Sequence, residues 1–386
     1  MKDMRTQLNH QDLELLDYFT KTRNIKQKTR KLYRITLSEY ITYYNTTITQ
    51  LFNEAEAEEE EGIRWKHRTL KKRLIEYRVY LYHNHSKNTA EHRFNRILAF
   101  YRHFDIEVHE LPVFHQQDTT PPMYYQNLPD KEIIRAALDI AAPVMKPVIL
   151  FMCSSGCAKA ETLNLTIMDY MKATYDYHQT NDINEMINTL NEIDDVIPTF
   201  HIRRQKTGKY FTTFCTPETV HAINLYLSDR KDNLTPESKL FKINSDYFSV
   251  KFGEINDELG LGQVGVFRRF RSHMLRKYHA SALMNDGMSR ETVNDLQGKS
   301  MNSVDEAYFF NNDESLRTEY IQHLHAVTMS KEVEKITVKS PEVRLMESQN
   351  KELSDENSML KDNIAGIMER LNKLEEVTWD EVKKEY

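Results

Sequence analysis

Residues 271–310 read RSHMLRKYHASALMNDGMSRETVNDLQGKSMNSVDEAYFF, and this stretch carries most of the information about the fold. His273 and Arg276 lie three residues apart, so a helix would place both side chains on one face. Tyr308 follows after a second helical pattern and a glycine turn that contains Lys299. Cationic groups that can bind a phosphate and a hydroxyl that can attack it thus occur close together in the chain.

The composition is that of a well-charged chain rich in helix formers. It has 386 residues, of which 40% are hydrophobic and 28% charged, and this length predicts two domains with appendages. No apolar run is long enough for a membrane span, and residues 1–16 lack the apolar core of a signal peptide. With only three cysteines, we expect an intracellular protein without a membrane partner, a disulfide framework or a metal site.

The net charge of −6 conceals basic surfaces. Residues 51–62 contribute −6 and residues 331–386 contribute −4, so the remainder of the chain carries +4. An uneven distribution of this kind is compatible with a nucleic-acid partner. The acidic run at 54–61 is interpreted as a solvated loop or helix end, and no function is assigned to it.

Residues 1–110 are predicted to form a small helical domain, because apolar residues recur at spacings of three and four. Asn88 or Thr89 is the predicted N-cap of its last helix. Two basic clusters, at 26–34 and 66–73, are candidates for phosphate contacts, with Lys71 and Lys72 in the second. The alternative interpretation of both clusters is a solvated helix face.

Residues 111–129 are rich in proline and form the predicted linker to a second domain at 130–330. Most of this second domain has helical patterns. Residues 196–217 instead alternate around a Lys-Thr-Gly-Lys turn, which predicts a β-hairpin. The expected fold is therefore mainly α with one small antiparallel sheet.

Residues 340–376 carry a heptad repeat that predicts a C-terminal coiled coil. Its two apolar seams run through Met346, Leu353, Leu360, Ile367 and Leu374, and through Val343, Asn350, Asn357, Ile364 and Leu371. Two asparagines on the second seam favour a defined register and self-association. The alternative is a helix that packs on its own chain.

Over residues 11–325 the chain resembles the tyrosine recombinases, the family of phage-type integrases. The resemblance rests on five features in family order: Glu161 on a helix, Lys206 in the hairpin, His273 with Arg276, Lys299 in Leu-Gln-Gly-Lys, and Tyr308. It implies a helical core-binding domain at 1–110, which clamps one side of a DNA duplex, and a catalytic domain at 130–330. Within the family, an integrase of a virus or another mobile element, some of them archaeal, is the expected type.

The resemblance also implies roles for the site residues. Tyr308 would be the nucleophile that forms a 3′-phosphotyrosine, while Arg276 and His273 would hold the phosphate. Lys206 would protonate the leaving 5′-oxygen, and Lys299 occupies the position of a histidine or tryptophan in most relatives. No cofactor and no metal are expected. Tyr278 and Tyr320 are rival nucleophiles, but neither keeps the family spacing.

One position departs from the family pattern. The first catalytic arginine would fall at Ala158, and the nearest cation is Lys159, which cannot reproduce a guanidinium fork. Lys159 could substitute with shifted geometry, the site could be weakened, or Arg203 or Arg204 could contribute.

The implied partner is double-stranded DNA at attachment sites, bound by a homo-oligomer that is tetrameric in the synapse. The candidate DNA-binding residues are basic side chains of the hairpin and of the segment before His273: Arg203, Arg204, Lys209, Arg268, Arg269 and Arg271. The leading functional hypothesis is a site-specific recombinase. The alternatives are a catalytically weakened DNA-binding relative and an enzyme similar to type IB topoisomerases.

Overall fold

The computed structural model describes residues 8–115, 124–299 and 312–330. The chain divides into two compact units, Met1–Thr120 and Pro121–Tyr386, and each is presented by itself. Tyr308, the predicted coiled coil at 340–376 and residues 116–123 of the predicted linker lie outside the described residues. No helix in the described ranges is long and apolar enough to cross a membrane.

The described part of the first unit is helical. Its α-helices are α1 (His10–Thr22), α2 (Gln27–Tyr44), α3 (Ile48–Glu60), α4 (Thr69–Asn84) and α5 (Lys87–His103). A 3-10 turn at Trp65–His67 precedes α4. Their apolar faces bury an aromatic-rich core that includes Phe19, Tyr40, Tyr77 and Phe100. The predicted N-cap of α5 is wrong, because the helix begins one residue after Ser86 and contains both Asn88 and Thr89.

The acidic run forms the end of α3 and has a structural role that the sequence did not suggest. Oε1 of Glu58 accepts from the main-chain N–H of Thr69 at 2.6 Å, at the first turn of α4. A carboxylate at this place satisfies a helix N–H and interacts favourably with the helix dipole. Glu59 accepts from Arg68 at 2.5 Å, so the run ties α3 to the start of α4.

The second unit is mainly helical with two short hairpins. Its described helices and strands, in chain order, are α6 (Lys131–Ile140), α7 (Met145–Ser155), α8 (Lys159–Asn164), α9 (Ile167–Ala173), α10 (Tyr175–His178), α11 (Ile183–Asn191), β1 (Thr199–Arg203), β2 (Tyr210–Phe214), α12 (Pro217–Ser228), α13 (Ser245–Glu258), β3 (Gln263–Val264), β4 (Phe267–Arg268), α14 (Ser272–Asn285), α15 (Arg290–Leu296), α16 (Asp313–Gln322) and α17 (Leu324–Val327). A 3-10 turn at Tyr125–Asn127 precedes α6. The predicted mainly α fold with a small antiparallel sheet is confirmed.

Helix α7 lies at the centre of this unit and is buried along almost its whole length. It packs against α12 and α14. The helix ends at Gly156, whose φ of 65° is the left-handed conformation that glycine adopts without strain. A Cβ at Gly156 would lie 2.6 Å from Nδ1 of His279, so the helix end also needs glycine for close contact with α14.

The hairpin predicted around the Lys-Thr-Gly-Lys turn is confirmed as β1 and β2. The strands pair antiparallel with His201 opposite Thr212, and the main-chain N–H of Arg204 closes the turn on the carbonyl of Lys209 at 2.7 Å. The second hairpin, β3 with β4, was not predicted. Its strands have two residues each, which is too short for an alternating pattern to show.

The helices α16 and α17 pack on their own unit. Tyr320 is fully buried, and its hydroxyl donates to the carbonyl of Ser154 at 2.9 Å. The hydroxyl of Tyr278 donates to the carbonyl of Ala326 at 2.9 Å. Burial raises the pKa of both tyrosines. These two hydroxyls therefore serve the packing of the C-terminal helices, which agrees with rejecting them as nucleophiles.

Candidate active site

Arg276 is a buried cation of α14. The residue is only 8% exposed, and its guanidinium donates to the carbonyls of Gly156 at 2.5 Å and Gln297 at 2.7 Å. Burial lowers its pKa, although a guanidinium remains charged in proteins. These two carbonyls fix the plane of the guanidinium, and its other N–H groups can meet a ligand.

Two neutral side chains support Arg276 from inside the unit. Nε2 of Gln297 donates to the main-chain carbonyl of Arg276 at 2.9 Å and lies 3.1 Å from Nδ1 of His279. Burial, and then the charges of Arg276 and Lys299, lower the pKa of His279 to about 3. His279 is therefore neutral at physiological pH. The arginine is positioned by groups that do not neutralise its charge.

His273 and Lys299 share a pocket with Arg276. The pocket has a volume of about 500 Å³. His273 is exposed in the first turn of α14, and Lys299 is exposed after the turn that follows α15. The residues that line the pocket are Tyr124, Tyr125, Leu128, His273, Arg276, Lys277, Ala280, Ser281, Gln297 and Lys299. The structure thus brings together three of the predicted site residues.

The pocket is electropositive. Partial burial, and then the charges of Lys277, Arg271 and Arg276, lower the pKa of His273. Partial burial, and then the charge of Arg276, lower the pKa of Lys299. Cations that destabilise one another's charge in this way favour an anionic ligand such as a phosphodiester. A neutral His273 can also accept a proton.

Lys206 lies at the tip of the first hairpin, where the sequence predicted it, and it is exposed. It does not occur among the residues that line the pocket. On the same hairpin, Nε of Arg203 donates to the carbonyl of Gly208 at 3.1 Å, and Lys209 is exposed. The hairpin therefore presents basic side chains beside the site, while the role of Lys206 stays a prediction.

Lys159 points to α13. Its ammonium donates to the carbonyl of Ser245 and the hydroxyl of Ser249, both at 2.7 Å, and lies 4.9 Å from the ring centroid of Phe248. Ala158 immediately precedes α8. Lys159 does not line the pocket that contains Arg276. The proposed substitution of Lys159 for the missing arginine would require this side chain to leave its partners on α13.

The arginines before α14 differ in their surroundings. Arg268 pairs with Asp257 through two bonds, at 2.7 and 3.0 Å. Arg269 donates to the carbonyls of Gln126 and Leu128, at 2.9 and 3.3 Å, and so anchors the segment before α6. Arg271 lies 4.2 Å from the ring centroid of Phe267. Arg268 and Arg269 thus have partners within their own unit, and contact of the three arginines with DNA stays a prediction.

In the first unit, the basic cluster at 66–73 divides into paired and exposed cations. Arg68 is buried beside Glu59, and Arg73 forms an ion pair with Glu54. Lys72 is exposed and Lys71 is half-buried on the same helix. The two lysines are better candidates for phosphate contact than the two arginines.

The sequence did not reveal seven of the ten pocket residues, among them Tyr124, Tyr125 and Gln297. Both tyrosines are exposed and lie close to the 3-10 turn before α6, in the segment interpreted as linker. Gln297 acts through contacts with residues at least 18 positions away. Its place beside Lys299 in Leu-Gln-Gly-Lys was the one available signal.

The basic pocket lies on α14, the turn after α15 and the segment before α6, and its cations suit an anionic ligand such as a phosphodiester. Residues 144–315 match the model of a family described as the phage integrase family. The stretch of the chain that contains His273, Arg276 and Lys299 is therefore similar to the phage integrase family.

Solved structures of recombinases are similar to this chain at low sequence identity. XerH site-specific recombinase bound to palindromic difH substrate is 16% identical, with 81% of this chain and 89% of that chain covered and a TM-score of 0.49. A lambda integrase dimer bound to a core site is 12% identical, with 78% and 97% covered and a TM-score of 0.48. XerA recombinase is 17% identical, with 81% and 98% covered and a TM-score of 0.34. No curated protein matches the chain.

Proposed function

We propose that this protein is a site-specific recombinase that cuts and rejoins DNA through a covalent bond between Tyr308 and a 3′-phosphate. The hydroxyl oxygen of Tyr308 attacks the phosphorus, and the bond from phosphorus to the 5′-oxygen breaks. The departing 5′-oxygen takes up a proton, and the tyrosine loses one. A 5′-hydroxyl from another strand then attacks the phosphotyrosine and releases Tyr308, so the bond energy is conserved without a nucleotide cofactor.

The observation that carries the proposal is the shared pocket of Arg276, His273 and Lys299 within a phage integrase family domain. Arg276 presents a fixed guanidinium to the non-bridging oxygens. Lys299 adds a second cation, and His273, held in its neutral form by its surroundings, can accept the proton of Tyr308. Lys206 is the proposed donor to the leaving oxygen, as the family resemblance implies.

The proposed partner is double-stranded DNA that contains an attachment site. Exchange between two duplexes requires cuts in every participating strand, and each cut occupies one tyrosine. This stoichiometry favours a homo-oligomer on DNA, with a tetramer in the synapse. We further propose that the heptads at 340–376 contribute to self-association, with the packing of this segment on its own chain as the alternative.

Nicked duplexes with a randomised core test the proposal on the full chain. The short fragment produced by cleavage next to a nick diffuses away, which traps the protein on the DNA. We expect a covalent adduct that survives denaturation, and sequencing of the trapped DNA would define the site. The adduct should disappear in Tyr308→Phe and persist in Tyr175→Phe, which alters an exposed tyrosine on α10.

The other outcomes separate the remaining hypotheses. Sequence-specific binding without an adduct in the intact protein would overturn the enzymatic proposal and support a DNA-binding relative. Relaxation of supercoiled DNA without exchange between two sites would indicate activity similar to type IB topoisomerases. An adduct that forms in Tyr308→Phe but not in Tyr125→Phe would identify Tyr125, which lines the pocket, as the nucleophile.

A further inference from the structure

Arg204 and Arg276 bind consecutive carbonyls of one turn. Arg276 donates to the carbonyl of Gln297, and Arg204 donates to the carbonyl of Gly298. Gln297 and Lys299, on either side of Gly298, both line the basic pocket. Two guanidinium groups from different parts of the fold, the first hairpin and α14, therefore meet at the edge of the proposed phosphate site.

The base of the hairpin holds Arg204 in this place. Its main-chain N–H donates to Lys209, and its carbonyl accepts from Gly208 at 2.8 Å. Phe211 of β2 packs so closely on Gly298 that a Cβ there would lie 2.5 Å from the ring. The hairpin and the turn thus pack together without room for a side chain at Gly298. This contact fixes the position of the main chain at Arg204, from which the side chain extends.

The place of the missing arginine adjoins Arg204. Ala158 precedes α8, and Glu161 in the first turn of that helix accepts from the main-chain N–H of Gln205 at 3.2 Å. The other carboxylate oxygen of Glu161 is buried and has no hydrogen-bond partner among the described residues. The start of α8 therefore lies against the residue that follows Arg204, and it lacks the cation that the family pattern places there.

The cations at this place outnumber the carboxylates near them, of which Glu161 acts on Arg276 and raises its pKa. Within the described ranges, neither Arg204, Arg276 nor Lys299 forms an ion pair with a carboxylate. The charge of Arg204 lowers the pKa of both Arg276 and Lys299. Three close cations with one carboxylate, Glu161, beside them still have an electrostatic preference for an anion. The anion that the proposed reaction supplies is the scissile phosphodiester.

We propose that Arg204 donates to a non-bridging oxygen of the scissile phosphate and so takes over the task of the arginine that is absent at position 158. The inference rests on the proposed function and identifies a catalytic residue of that reaction. One terminal nitrogen of Arg204 stays on Gly298, and the other terminal nitrogen meets the phosphate opposite Arg276. Lys159 is not needed for this clamp, since its ammonium already has two oxygen partners on α13.

The test measures the rate of adduct formation by DNA-bound full-length protein on the duplex selected from the nicked pool. Arg204→Gln should lower this rate by about 10²–10³, and Arg204→Lys should restore only part of it, because an ammonium lacks the planar fork. Adding Ala158→Arg to Arg204→Gln should recover most of the rate, since a guanidinium then returns to the family position. Lys159→Gln should leave the rate close to that of the intact protein.

Arg135→Gln is the matched control. Arg135 is also a half-buried arginine of the second unit that donates to a main-chain carbonyl, that of Met329, and it lies outside the site. Its loss should leave the adduct rate of folded protein unchanged. A neutral methylphosphonate at the scissile position provides a second readout. The defect of Arg204→Gln should shrink on this substrate, because the charge that Arg204 neutralises has been removed.

The outcomes distinguish the two levels of the proposal. An intact protein that forms no adduct on any duplex overturns both the recombinase activity and the role of Arg204. An intact protein that forms the adduct, with Arg204→Gln equal to Arg135→Gln, overturns the role of Arg204 alone. A defect in Arg204→Gln that is equal on phosphodiester and methylphosphonate, and that Ala158→Arg fails to relieve, would reduce Arg204 to a support of the hairpin and likewise overturn the inference.

Discussion

Gln297 and Arg276 bind each other twice. Nη2 of Arg276 donates to the main-chain carbonyl of Gln297 at 2.7 Å, and Nε2 of Gln297 donates to the main-chain carbonyl of Arg276 at 2.9 Å. This reciprocal pair joins α14 to the turn after α15, both of which contribute to the basic pocket. Gln297 is therefore a positioning residue, since it acts on the phosphate only through Arg276.

Gln297→Ala should slow adduct formation while leaving DNA affinity nearly unchanged. The change removes the buried amide N–H donor that serves the carbonyl of Arg276 and lies beside Nδ1 of His279. Leaving these groups without that donor costs about 1–3 kcal/mol of free energy. If this free energy is lost from the transition state because Arg276 is less well oriented, the rate of adduct formation should drop by about 5–150-fold. Separate measurements of DNA affinity and of the adduct rate in the bound complex check this.

Asn224→Ala is the control for Gln297→Ala. Asn224 is another buried amide of the second unit, and it accepts from the hydroxyl of Tyr170 at 2.8 Å. Its loss should lower the melting temperature without slowing adduct formation in folded protein. Equal losses of rate in the two variants would show that Gln297 contributes stability only.

Gly156→Ala should destabilise the second unit more than Gly260→Ala does. Both glycines have positive φ values, 65° and 61°, so alanine is strained at either position by about 1–3 kcal/mol. Only at Gly156 would the new Cβ meet another group, the ring of His279. Thermal unfolding of the two variants should therefore show a larger drop for Gly156→Ala, whereas equal drops would mean that the ring of His279 moves aside without cost.

Local patterns in the sequence predicted much of the fold. The alternation around Lys206 predicted the first hairpin, and the three-residue spacing of His273 and Arg276 predicted a shared helix face. Both features are short-range, so a sequence displays them directly. The β3–β4 hairpin was not predicted. Its strands have two residues each and lie next to Gly262 and Gly265, so they are too short to show alternating apolar and polar residues.

The supports of the site could not be read from the sequence. Arg276 and Arg204 are held by main-chain carbonyls, and every residue has such an acceptor, so no side-chain type marks them. The choice of Gly156 as a partner depends on the packing of α7 on α14, which is a long-range contact. For the same reason, the sequence could not show that Arg269 is bound to the segment before α6 or that Lys159 lies on α13.

The pH dependence of adduct formation should show an acidic limb from His273. The pKa of His273 is lowered by the partial burial of its ring, then by the charge of Lys277. The neutral form, which accepts a proton, is therefore present at neutral pH and is lost as the pH falls through this lowered pKa. The rate should fall accordingly below the ordinary range for histidine, and His273→Gln should remove this limb.

Lys277→Gln tests the assignment of the limb. Removing a neighbouring positive charge stabilises protonated His273, so its pKa rises and the limb should move to higher pH. A pH series with intact protein and both variants on one trapped duplex measures the effect. A limb that stays in place in Lys277→Gln and survives in His273→Gln would assign it to another group.

The exposed Lys72 of α4 should govern part of the salt dependence of DNA binding. Each cation that contacts a phosphate releases counterions, so Lys72→Gln should weaken binding to all sequences alike and reduce the logarithmic salt slope by about 1. Arg73, the next residue, is matched in charge but forms an ion pair with Glu54. Arg73→Gln should therefore change stability and leave the slope nearly as it is. Affinities measured over a salt series compare the two variants, and a slope that falls in Arg73→Gln but not in Lys72→Gln would place the DNA on another face of the first unit.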